Sequence, residues 1–131
     1  MRDGRTVKRE VPGVSRSGFA VWRATLVVIT GGGAGTEHTV AKTRLVLGRG
    51  PSVDLPFPDE EMSQQHAALE FTGEGFQIVD LGSTNGTRVN GEKIDVQELA
   101  HGDRLQIGRH VLQLVLEKRD VPPPTYVLED A

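Results

Sequence analysis

Asp80-Leu81-Gly82-Ser83-Thr84-Asn85-Gly86-Thr87-Arg88-Val89-Asn90-Gly91 packs two turns into twelve positions. Asn-Gly is the dipeptide that most readily takes positive φ at both centres of a tight hairpin turn. It stands here twice, at Asn85-Gly86 and at Asn90-Gly91, with the hydroxyls of Ser83 and Thr84 leading into the first. Ile78, Val79 and Leu81 precede the stretch, and Val89 and Ile94 follow it. Strands on both sides would hold the polar side chains of such turns in fixed places at the edge of the protein. Binding residues concentrate at such places.

Outward from this stretch, the chain reads as short strands punctuated by turn residues. Residues 22–30 are apolar and β-branched and end at Gly31-Gly32-Gly33. Short strands are predicted over 38–42, 44–47 and 54–57, the last held between Pro51 and Pro58. Residues 67–71 put Ala67, Leu69 and Phe71 on one face and Ala68 and Glu70 on the other. Strands over 76–81, 104–107 and 111–117 complete the series, the last alternating Leu112, Leu114 and Leu116 with Gln113 and Glu117. Helical periodicity is confined to 95–100, where a single turn is expected. Many short strands at this spacing predict an all-β sandwich of two mainly antiparallel, twisted sheets.

Composition agrees. Sixteen glycines and seven prolines in 131 residues supply the turns that such a fold needs. The hydrophobic fraction of 37% and charged fraction of 25% are those of an ordinary globular chain. With no cysteine, disulfides, thiol catalysis and thiolate metal sites are excluded, and a reducing, cytoplasmic setting is expected. The four histidines, His38, His66, His101 and His110, are too scattered to predict a metal site, and no cofactor is implied.

Charge divides the chain. Residues 1–23 carry six cations against two carboxylates, a net of +4. Residues 117–131 carry two against four, so the total of −3 leaves −5 for residues 24–116. The expected organisation is a basic, flexible arm over 1–21, a folded domain over 22–118 and a Pro-rich acidic tail over 119–131. The apolar run at 19–22 is broken by Arg23, which is not the pattern of a targeting segment or a membrane span. With a net negative charge, the body offers no global argument for nucleic-acid binding.

The polar residues at the turns carry the chemistry. Gly48-Arg49 falls where the 44–47 strand ends, so Arg49 leaves the sheet at a turn. Ser63 and His66 stand just before the 67–71 strand, within Met62-Ser63-Gln64-Gln65-His66-Ala67. In the order Gly-Arg, Ser-x-x-His and Gly-Ser-Thr-Asn-Gly-Thr, these residues resemble a forkhead-associated (FHA) domain. The resemblance runs from about Arg44 to Leu116, and Asn90-Gly91, Leu99, Gly102-Asp103 and Ile107-Gly108 also fall where that family has them.

The resemblance implies an FHA-like β-sandwich whose loops bind phosphothreonine peptides, a non-catalytic adaptor in Ser/Thr kinase pathways. A phosphothreonine needs a planar donor fork and neutral donors for its three oxygens. Arg49 matches the family's phosphate-binding arginine, and Ser63 and Thr84 match the hydroxyl donors. Asn85 matches the residue that holds the peptide backbone, and His66 matches a position that braces the loops from within. Gly48 and Gly86 are expected as backbone-permissive scaffold. Gln64 departs from the pattern, because that position is frequently basic in the family. It can hydrogen-bond phosphate but adds no charge, so the electrostatic part of binding rests on Arg49. The acidic run Asp59-Glu60-Glu61 is expected to be solvated and to repel an acidic residue three places after the phosphothreonine. The implied partner is a phosphothreonine protein or peptide, a Ser/Thr kinase or its substrate. Thr6 and Thr125 are candidate phosphosites through which the protein would read its own tails, Thr6 being preferred because Arg9 follows it by three.

Two other classes compete. A phospho-independent interaction or assembly module on the same fold follows if Gln64 weakens the pocket. A hydrolytic Ser63–His66 pair is disfavoured, because three-residue spacing on a strand sends the two side chains to opposite faces.

Overall fold

A computed structural model describes residues 22–118. The arm, the tail and the candidate phosphosites Thr6 and Thr125 lie outside the described residues. Within them the chain forms eleven strands. They are β1 (Trp22–Thr30), β2 (Glu37–Thr39), β3 (Arg44–Gly48), β4 (Leu55–Pro56), β5 (Ala67–Phe71) and β6 (Phe76–Asp80). Then follow β7 (Thr87–Val89), β8 (Glu92–Ile94), β9 (Val96–Leu99), β10 (Arg104–Ile107) and β11 (His110–Lys118).

The strands make two sheets, in the orders β2-β1-β11-β10-β7-β8 and β4-β3-β5-β6-β9. Every pairing is antiparallel except that of β3 with the two-residue β4. The alternation seen in the sequence faces the core as expected. Leu26 and Val28 of β1, Leu105 and Ile107 of β10, and Leu112 and Leu114 of β11 meet Leu45, Leu47, Leu69 and Ile78 of the other sheet in one buried cluster. Each such side chain contributes about 1.5–3 kcal/mol by leaving water.

Three details depart from expectation. Residues 96–99 are not a helical turn but strand β9, which pairs with β6 through Val79↔Val96 and Phe76↔Leu99. A lone turn of helix closes one hydrogen bond at high entropic cost, whereas a strand here satisfies an edge of β6 and packs Leu99 on the core. The two Asn-Gly dipeptides also differ. Asn90 (φ 51°) and Gly91 (φ 90°) form the expected tight turn between β7 and β8. At Asn85-Gly86 only the glycine has positive φ, 87°. That dipeptide lies in the connection that leaves β6 in one sheet and enters β7 in the other. Third, the 38–42 and 54–57 strands contract to β2 and to the two residues of β4.

Candidate functional site

Three connections converge at one end of the sandwich: residues 49–54 after β3, 57–66 after β4, and 81–86 after β6. Main-chain hydrogen bonds tie the first two together. The N–H of Arg49 donates to the Ser63 carbonyl at 2.9 Å and that of Gly50 to the Gln64 carbonyl at 3.1 Å. This approach leaves no room for a side chain at Gly48, where a Cβ would stand 2.1 Å from the Gln64 carbonyl oxygen. Gly48 is therefore required by proximity, not by the backbone freedom expected of it; its φ is not positive.

His66 ties the second connection to the third. Its ring is fully buried. Nδ1 accepts from the Ser63 N–H at 3.0 Å, so the proton sits on Nε2, which lies 2.9 Å from the Gly86 carbonyl. Both nitrogens are occupied by main chain, and none is left to activate the Ser63 hydroxyl. Further tethers run from the Thr84 N–H to Ser63 Oγ (3.0 Å) and from Asn85 Nδ2 to the Glu61 carbonyl (2.9 Å).

Arg49, Ser63, Gln64, Thr84 and Asn85 thus fall on interlocked loops. Ser63 is half-buried and the other four are exposed. Ser63 Oγ already accepts a hydrogen bond from Thr84, which leaves its own proton to donate. Among the described residues the Arg49 guanidinium has no carboxylate partner; the ion pairs are Lys42–Asp54, Arg44–Glu70, Arg109–Glu61 and His110–Asp59. The arrangement offers a guanidinium, hydroxyl donors and an amide to an anionic, extended ligand.

Two supports were not read from the sequence. Asp80, at the end of β6, receives the hydroxyls of Ser83 and Thr87 and the N–H groups of Gly82 and Ser83. Its burial opposes ionisation, but these donors outweigh it and hold the carboxyl below the usual range. The bond from Gly86 N–H to Ser83 Oγ then fixes the loop that presents Thr84 and Asn85. An Asp followed by Ser and Thr before a turn is the signal that could have revealed it.

The second support is Asp59, which is not solvated as expected. It is buried, and its carboxylate accepts from His110 Nδ1 at 2.7 Å, the Arg109 N–H at 2.7 Å and the Glu61 N–H at 2.9 Å. Burial opposes its charge, and these bonds again prevail and lower its pKa. His110 Nε2 lies 3.0 Å from the Gly32 carbonyl. Both partners of that ring are acceptors, so the ring bridges the Asp59 carboxylate to the Gly32 carbonyl. Glu61 is paired with Arg109 Nε at 3.1 Å. Within the acidic run, Glu60 alone has no ion-pair partner among the described residues.

The FHA domain pattern matches residues 45–108. Glycogen accumulation regulator GarA of Mycolicibacterium smegmatis is 42% identical over 86 residues, 66% of this chain and 54% of GarA. This chain carries an FHA domain. A second relative, the oxoglutarate dehydrogenase inhibitor of Corynebacterium jeikeium, is 37% identical over 86 residues, 66% of this chain and 60% of that protein. The chain thus spans little more than half the length of the curated relatives it matches. An FHA domain solved in a study of phosphothreonine-dependent FHA interactions superposes with a TM-score of 0.64 at 28% identity, covering 77% of this chain and 99% of that one. Both curated relatives are named for regulation of other proteins or processes, and the FHA family is one of phosphothreonine-binding interaction domains. No helix among the described residues is long and apolar enough to cross a membrane.

Proposed function

We propose that the loop end of this FHA domain, within residues 22–118, binds phosphothreonine peptides and acts without catalysis as a regulator or adaptor in Ser/Thr kinase signalling. The observation that carries this is Arg49, whose guanidinium has no carboxylate partner among the described residues and whose main chain is bonded to that of Ser63, a residue whose hydroxyl accepts from the Thr84 N–H and keeps a proton to donate. A doubly charged phosphate would complete both groups at once. The tethered Asn85 keeps one N–H and its amide oxygen for the peptide backbone. The names of the relatives favour a protein partner for the complex, with phosphorylated proteins and their kinases as its source.

Calorimetric titration with a degenerate phosphothreonine library, beside its phosphoserine and unphosphorylated counterparts, tests this. Binding restricted to the phosphothreonine set and lost in Arg49→Ala is expected, with Arg49→Ala melting as the parent does. Ser63→Ala and Thr84→Ala each lose about 1.5–3 kcal/mol, the worth of one hydrogen bond to a charged group. Equal affinity of the parent for unphosphorylated peptides would instead establish a phospho-independent assembly module.

A further inference from the structure

The β7–β8 hairpin holds an arrangement that folding does not explain. Arg88 of β7 lies directly opposite Lys93 of β8, and both are exposed. Like charges facing each other across two strands repel. Neither is neutralised by a carboxylate: among the described residues the ion pairs involve other cations. Arg88 makes only a long bond, Nη1 to the Gly91 carbonyl at 3.3 Å.

Lys93 is also held in a particular place. Its stem crosses over Gly86, with Cε 2.8 Å and Nζ 3.5 Å from where a Cβ on that glycine would stand. The ammonium therefore sits next to the loop that carries Asn85. Beside it Asn85, Gly86, Arg88, Gln106 and Gly108 line a recess. Gln106 lies opposite Arg88 on the other side and brings a neutral donor.

We propose that Lys93 and Arg88, with Gln106, form a second anion subsite continuous with Asn85. It takes an acidic side chain, carboxylate or second phosphate, from the same bound peptide. This rests on the phosphopeptide function proposed above. A peptide whose backbone is held by Asn85 passes the recess with its neighbouring residues, where two cations await a countercharge. The subsite also supplies, from a different strand pair, the positive charge that Gln64 does not. The expected preference is opposite in sign to the one the acidic run had suggested.

The test uses the full chain and a phosphothreonine peptide with neutral flanks. Its derivatives carry a single Glu, or a single second phosphothreonine, at each flanking position in turn. At one position or two adjacent ones, the anion should tighten binding about fivefold, the upper range for a partly exposed ion pair. The gain should shrink as salt is raised. Lys93→Met keeps the stem over Gly86 and removes the charge. It should bind the neutral-flank peptide as the parent does and lose the preference, while Lys93→Glu should shift it to Lys at the same position. Thermal melts confirm that both variants fold. The Glu and phosphate series show which anion is favoured. If the parent binds the neutral-flank peptide through Arg49 but gains nothing from an anion anywhere, the subsite is refuted and the primary function stands. A preference that survives Lys93→Met also refutes it. If no phosphopeptide binds, both proposals fall together.

Discussion

His66 and His110 are both buried, and both fasten the segment between β4 and β5, but their rings face different partners. His66 has one donor before it and one acceptor, all main chain. His110 faces two acceptors, one of them a carboxylate. The first brace is neutral and local, joining Ser63 to Gly86 across the binding loops. The second is a buried histidine–carboxylate contact, His110 to Asp59, whose ring also reaches the Gly32 carbonyl. The same side chain therefore serves as a geometric spacer in one place and as the partner of a buried carboxylate in the other. The second is the more vulnerable, because losing the ring strands a buried carboxylate.

The largest expected effect is that of His110→Ala. It leaves the Asp59 carboxylate buried without its histidine partner and should cost about 3–5 kcal/mol in urea unfolding. A cycle with Asp59→Ala should be strongly non-additive, since the second deletion removes a charge already orphaned. Additive costs would mean that the two groups are not coupled and would collapse the contrast between the braces. His66→Ala ranks next. It orphans the Ser63 N–H and the Gly86 carbonyl, at about 1–3 kcal/mol each, and should weaken phosphopeptide binding as well. Unchanged thermal stability would remove His66 from the framework.

Acid supplies a third, smaller probe. The folded-state pKa of Asp59 is lowered, so its contribution is present above the unfolded value near 3.8 and is lost as pH falls below it. Asp80 behaves in the same sense. Stability measured by denaturant titration should therefore decline below about pH 4. Asp59→Asn should flatten that decline more than Asp54→Asn does, because Asp54 holds its lowered pKa at the exposed surface through Lys42. An equal response would place no special weight on the buried pair.

The contrast also marks what could be read from sequence. Alternation of buried and exposed positions is a local property, and it located β1, β5 and β10 to the residue. The motif order likewise singled out Arg49, Ser63, Thr84, Asn85 and His66, which the fold carries to one end. Strand β9 escaped because its apolar content is slight and its reason for being extended is the edge of β6, fifteen or more residues earlier in the chain. Asp59 and His110 escaped for a similar cause. They lie 51 positions apart, and nothing next to either residue indicates that one neutralises the other. An acidic run looks solvated until its partner is seen. Lys93 belongs with them: its role depends on a hairpin register and on lying across Gly86.

The tethers between the first two binding loops, Arg49 N–H to Ser63 carbonyl and Gly50 N–H to Gln64 carbonyl, are made by main-chain atoms that every residue except proline possesses. Apart from the demand for glycine at position 48 and the tight fit at Gly50, they place little condition on which side chains those loops display. The framework and the chemistry it presents are thus separable inheritances. A lineage could exchange Gln64 or the flanking residues, and so change which phosphorylated partner is read, without first renegotiating the shape of the end that reads it.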